Sequence, residues 1–160
     1  MTTPKLQHEI KKKRPFESQE EEVVLSIVRT NDQLQIRFAR LFREYGLTPS
    51  QYNILRILRG EGIPLPILEI ASRTVAVVPG ITGLIDRLEH AGFVNRLRCD
   101  KDRRVIYVAL TDQGAKTLAA LDAPLVALHH QLLGHLSRPE LKELIRLLEK
   151  VRQPLSAREE

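Results

Sequence analysis

The chain has 160 residues, with 25 lysines and arginines against 20 aspartates and glutamates, a net charge of +5 and a pI of about 9.6. That length supports one domain with a proper core, the charge suits a polyanionic partner, and no apolar run approaches the ~20 residues needed to span a bilayer. Four phenylalanines, three tyrosines and no tryptophan leave few platforms for stacking single-stranded bases. One cysteine permits no internal disulfide, and no hydrophobic segment follows the first charges as in a secretory signal, so a cytoplasmic location is expected.

Residues 1–16 read as a disordered basic arm centred on Lys11-Lys12-Lys13-Arg14, a solvated tail in preference to a DNA-contacting one. Ser18 is the expected N-cap of a helix over 18–44, with Glu21 completing a capping box and the acids of the first turn suiting the positive end of the helix dipole. Val24, Ile27, Val28, Leu34, Phe38, Leu41, Phe42 and Tyr45 mark its apolar face, and Gly46 ends it. The face is broad for one core, so part of it is expected to meet another subunit. Thr48 and Pro49 restart a helix as N-cap and first residue, with Tyr52, Leu55 and Leu58 inward. Residues 60–64 form a turn. Pro66 opens a short helix carrying Ile67, Ile70 and Ala71, and residues 74–78 join it to a helix beginning near Pro79.

In that last helix Ile81, Leu84, Ile85 and Leu88 form one stripe, which leaves Thr82, Gly83, Asp86 and Arg87 on the wet face. Gly92 stops it. Two strands follow, 93–98 and 105–110, around the polar tip Cys99-Asp100-Lys101-Asp102-Arg103-Arg104. Two short helices and a basic-tipped hairpin have the layout of a winged helix-turn-helix, which can place a helix in one DNA groove and the tip in its neighbour. Thr111 caps a further helix with Leu118, Leu121, Leu125, Leu128 and Leu132 on one face, bent or interrupted at Pro124 and ended at Gly134. Ser137 and Glu140 cap a last helix with the stripe Leu141, Leu144, Ile145, Leu148 and Val151.

The fold class expected is therefore mainly α with a small β-hairpin wing. A single domain over 17–152 contains a winged lobe at 47–111 and dimerisation helices at 18–44 and 112–152, with a tail at 153–160. No repeat and no second domain is visible. Three long apolar faces outside the winged core predict burial in a symmetric homodimer.

No phosphate-cradling glycine loop, HExxH or paired-cysteine spacing is present, so no cofactor, no metal site and no catalytic residue is expected, and the chain does not read as an enzyme. His129 and His130 are adjacent and point to different sides of a helix, so they do not jointly chelate one ion; His135 completes the group. Cys99 lies beside the wing, where Arg98 and Lys101 favour its thiolate, and a redox role there is the lesser reading.

The order of three pieces resembles the MarR family of bacterial transcription regulators over roughly residues 20–152. They are Leu47-Thr48-Pro49-Ser50-Gln51-Tyr52, the run Ile81-Thr82-Gly83-Leu84-Ile85-Asp86-Arg87-Leu88-Glu89, and Asp102-Arg103-Arg104 before a strand ending in Leu110-Thr111 and Gly114. The resemblance implies a dimeric winged-helix protein on a palindromic double-stranded operator, usually a repressor released by a small molecule. It implies DNA contacts from Thr48, Ser50 and Gln51, from Pro79, Gly80, Thr82, Gly83 and Arg87 in the major groove, and from Arg98, Lys101, Arg103 and Arg104 at the wing. Arg103 is expected in the minor groove, whose narrow stretches concentrate negative potential, with Asp102 holding an arginine by a charge-assisted hydrogen bond. The resemblance also implies a crevice for a small aromatic effector, walled by the first helix near residues 37–42, the Tyr52 helix and the start of the helix after Thr111, with Arg40 or Arg43 receiving a carboxylate.

Many relatives carry an arginine directly after the helix threonine, and this chain has Gly83. Glycine offers no side-chain contact and weakens a helix by roughly 1 kcal/mol relative to alanine. It either lets the backbone approach DNA or shifts recognition to Thr82 and Arg87. The competing reading is a winged-helix protein-interaction module without DNA binding, which predicts an apolar or acidic face on residues 79–90.

Overall fold

The computed structural model describes residues 5–156. Its elements in chain order are α1 (Leu6–Glu9), α2 (Gln19–Glu44), α3 (Pro49–Glu61), β1 (Leu65–Pro66), α4 (Ile67–Ser72), α5 (Ile81–His90), β2 (Val94–Arg98), β3 (Ile106–Leu110), α6 (Asp112–Leu133) and α7 (Arg138–Ser156). The chain divides after Leu121 into two compact units.

In the first unit the expected caps form. The Ser18 hydroxyl accepts from the Glu21 N–H at 3.1 Å, while the Glu21 carboxylate turns to the N–H of Glu17 at 2.6 Å. Gly46, at φ +71°, turns the chain out of α2, and the Leu47 N–H bonds back to the Phe42 carbonyl at 3.0 Å. This satisfies a carbonyl that the helix end would leave open and seats Leu47, 3% exposed, in the core. Thr48 and Gln51 then make a reciprocal capping box at the start of α3.

The three short helices pack with the strands around Ile54, Leu55, Leu58, Ile70, Ile85, Leu88, Val94 and Val108, all under 2% exposed. β2 and β3 are antiparallel, in register from Val94 opposite Leu110 to Arg98 opposite Ile106. β1 pairs with the other edge of β3, Leu65 opposite Val108, giving the sheet order β1-β3-β2. At the sheet base the Thr111 hydroxyl donates to the Gly92 carbonyl at 2.6 Å and accepts from the Gly114 N–H at 3.1 Å. Gly114 packs so closely that a Cβ there would collide with the Phe93 carbonyl oxygen.

Three expectations need correction. Residues 5–16 are not a disordered arm: after α1, the Lys12 ammonium lies 3.6 Å from Glu21, 3.3 Å from the Pro15 carbonyl and 5.5 Å above the Phe16 ring, and Glu9 lies 3.9 Å from Arg29. Residues 1–4 and 157–160 fall outside the described chain. The expected tail from 153 is helical as far as Ser156, and Pro124 does not interrupt α6. A proline inside a helix costs one hydrogen bond and crowds the preceding carbonyl, and the remaining turns hold the helix through it.

In the second unit, Ser137 and Glu140 cap α7 as expected, the carboxylate accepting from the Ser137 N–H at 2.8 Å. Hydrogen bonds to the carboxylate from the Ser137 hydroxyl, at 2.7 Å, and from the Ser137 N–H hold the Glu140 pKa below the usual carboxylate value. α7 has no buried residue; Leu144, Ile145, Leu147, Val151 and Leu155 are 39–61% exposed. No helix among the described residues is long and apolar enough to cross a membrane.

Candidate nucleic-acid interface

Gly80 is the residue on which the interface turns. It takes φ +66° and ψ 38°, a left-handed conformation that L side chains rarely adopt, and from it α5 starts without any side-chain cap. The first N–H groups of the helix, and the positive end of its dipole, are therefore available to a ligand. The stripe of α5 is seated as its spacing predicts: Ile85 and Leu88 are fully buried, and Thr82, Gly83, Asp86 and Arg87 are exposed.

A surface cleft of about 330 Å³ opens beside this N-terminus. Thr48 and Ser50 from the start of α3, Val77, Val78 and Pro79 from the preceding loop, and Gly80, Gly83, Leu84 and Arg87 line it. Six residues expected from sequence to contact DNA, Thr48, Ser50, Pro79, Gly80, Gly83 and Arg87, thus share one concavity. Gln51 is not on it; its amide oxygen is committed to the Thr48 N–H at 2.9 Å. Thr82 is exposed on the same helix, outside the cleft lining.

Arg98, Lys101, Arg103 and Arg104 are grouped on and beside the hairpin tip, all exposed. Asp102 bonds differently from the expectation. Its carboxylate accepts from the backbone N–H of Arg104 at 2.9 Å and not from an arginine side chain, and its carbonyl accepts from the Val105 N–H at 3.0 Å. It shapes the turn that presents the arginines. The Cys99 N–H closes the tip on the Val105 carbonyl at 3.2 Å.

The interface has one organiser that sequence reasoning missed. Arg96, on β2, reaches back to α5: its guanidinium lies 2.5 Å from Asp86 and 2.8 Å from Glu89 and donates to the Thr82 carbonyl at 3.3 Å, and its backbone N–H donates to Glu89 at 2.9 Å. Hydrogen bonds from the backbone and side chain of Arg96 lower the Glu89 pKa. For Arg96, burial opposes the charge, but the hydrogen bonds to Glu89 and Asp86 outweigh it and raise the pKa. The fork ties α5 to β2 and neutralises two carboxylates of that helix. The signal was there: acids at i and i+3 on the helix, and an arginine two residues into the next strand.

The arginines divide accordingly. Arg73 pairs with Glu61 and Glu69, Arg96 with Asp86 and Glu89, and Arg146 with Glu143. Among the described residues, Arg87, Arg98, Lys101, Arg103 and Arg104 form no ion pair. Those five cations stand on α5 and the wing; other exposed cations without an ion pair among the described residues, Arg40 and Arg43 among them, lie elsewhere on the chain. Among the described residues no cluster of three or more potential metal ligands occurs. At the expected effector crevice, Tyr52 stacks on Phe42 with ring centroids 4.4 Å apart, and Phe38 lies 6.1 Å further along, while Arg40 and Arg43 are exposed on the same helix.

Comparison with known proteins agrees with this geometry. A family model described as the MarR family matches residues 47–106. The HTH-type transcriptional regulator FarR of Neisseria gonorrhoeae is 26% identical over 146 residues, covering 89% of this chain and 99% of that protein. The homoprotocatechuate degradative operon repressor of Escherichia coli is 24% identical over 127 residues, covering 79% of this chain and 85% of its own. The crystal structure of a MarR transcription factor from Planctomyces limnophilus is 43% identical and superposes with a TM-score of 0.66, covering 84% of this chain and 98% of that one. With its winged helix-turn-helix and these matches, the chain belongs to the MarR family of DNA-binding transcriptional regulators.

Proposed function

We propose that the protein is a homodimeric repressor that binds a palindromic operator and leaves it when a small aromatic acid binds. In this reading α5 enters the major groove, with its uncapped N-terminus, Thr82 and Arg87 facing the bases and phosphates, and Arg103 at the wing enters the adjacent minor groove. The observation that carries it is that the acids of α5 are taken by Arg96, while Arg87 on that helix and the four cations of the wing form no ion pair among the described residues. A dimer follows from the exposed apolar residues Val23, Val24, Ile27 and Val28 on α2 and Leu144, Ile145, Leu147 and Val151 on α7, which a second copy would cover. Two copies of α5 would then meet successive major grooves, roughly 34 Å apart.

The sign of regulation and the class of effector rest on resemblance, and on the Escherichia coli relative, a homoprotocatechuate degradative operon repressor. The stacked rings of Phe38, Phe42 and Tyr52, with Phe42 buried between the other two, put aromatic side chains where the resemblance expects such a ligand, and the exposed Arg40 and Arg43 on α2 offer cations for its carboxylate. A ligand that favours a form with the wrong groove spacing draws the population off DNA; a shift from 1:99 to 99:1 takes about 5.5 kcal/mol of preference. Fluorescence anisotropy of a labelled operator, at fixed ionic strength with and without millimolar salicylate, tests the effector. Weaker binding with salicylate is expected, and equal affinity across a panel of aromatic acids would remove this class of trigger.

A further inference from the structure

The loop before α5 is unusual for a surface. Val75 is 86% exposed and Val77 is 91% exposed, and Val77 lines the cleft together with Pro79, Gly83 and Arg87. No carboxylate lines that cleft, and a Cβ built on Gly83 would meet nothing within 4 Å, so its floor is open to the helix backbone. An apolar lip on a cationic cleft asks for a partner that is anionic overall and carries small apolar groups at its surface. Duplex DNA has one such group in its major groove, the C5-methyl of thymine.

We infer that Val75 and Val77 read thymine methyl groups at the edge of each operator half-site. The inference rests on the DNA-binding reading above and adds to it the base class that this loop selects. Gly83 permits the contact: with no side chain between α5 and the groove floor, the helix backbone sits deep enough to bring the valine lip onto the base edges. A protein partner at the same lip is disfavoured by the cleft's cationic and hydroxyl walls, Arg87, Thr48 and Ser50.

The test begins with selection of an operator from a random duplex pool by the full chain. Each thymine of the half-site is then replaced in turn by deoxyuridine, which removes the methyl and keeps the pairing. The wild type should lose about fourfold in affinity at one or two positions, the cost of about one buried methyl group. The variant Val75→Ser with Val77→Ser, changed only at exposed loop positions, should bind the thymine duplex more weakly and no longer distinguish it from the uracil duplex. Wild-type protein that binds both duplexes equally overturns the inference alone, and so does a double variant that keeps the full discrimination. A pool from which no duplex is enriched overturns the DNA-binding reading and this inference together.

Discussion

At the scale of single residues, the interface rests on side chains with opposite duties. Arg103 and Arg87 form no ion pair among the described residues, whereas Arg96 is held by Asp86 and Glu89. Arg103→Ala should weaken operator binding by about 1–3 kcal/mol and leave the melting temperature unchanged. Arg96→Met should do the converse first. It removes the fork between α5 and β2 and costs about 1 kcal/mol of stability, at the low end for a charged hydrogen bond because Asp86 and Glu89 are partly exposed and screened by water. It then also weakens DNA binding, since two unneutralised acids face the phosphates; a urea titration beside a gel-shift titration separates the two effects. Gly114→Ala forces a Cβ onto the Phe93 carbonyl and should destabilise by about 1–3 kcal/mol, read as a lower urea midpoint. Residue identities of this kind were only half legible in the sequence. Gly92, Thr111 and the exposed tip arginines declare themselves through local rules. For Arg96 the sequence shows the acids at i and i+3 and the strand arginine, but only the tertiary fold decides that they meet.

Among the elements, α5 and the sheet behave as one unit because Glu89 bridges them. The Glu89 pKa is depressed in the folded protein, so its contribution is complete above the ordinary value of 4.5 and is lost as the pH falls through the lower folded value. The stability advantage of wild type over Glu89→Gln should therefore be constant near neutrality and shrink in that acid window. A difference that persists unchanged through it would show that Glu89 acts by shape and not by charge. Helices were the legible part of this fold: their stripes and caps are written within a turn or two, and Ser18, Thr48, Thr111 and Ser137 all cap as their spacing predicts. The strand β1 was not legible. It has two residues, one of them Pro66, which cannot donate to the ladder, and it exists only because β3 offers an edge. The folded course of residues 5–16 was missed for a similar reason, since Lys12 finds Glu21 and Phe16 only after the chain turns back.

At the scale of the whole molecule, the proposed dimer would join exposed apolar helices to a paired DNA contact. Among the described residues α2 and α7 carry exposed apolar side chains, and their stripes were plain in the sequence. Leu148→Asp should place an uncompensated charge in the proposed dimer interface, cost several kcal/mol of association and yield monomers at low micromolar concentration by sedimentation. A stable dimer of that variant would move the interface away from the last helix. The loss of the dimer should also lower operator affinity sharply, because one half-site contact alone forgoes the gain in effective concentration from the second.

The most direct test of the central claim is the salt dependence of operator binding for the wild type beside Arg87→Ala and Arg103→Ala. If α5 and the wing carry the contact, the logarithm of the affinity falls linearly with the logarithm of salt concentration. Each variant binds more weakly, and a lost phosphate contact reduces the slope by about 1. Wild-type slopes and affinities in both variants, with the fold intact by circular dichroism, would contradict the account.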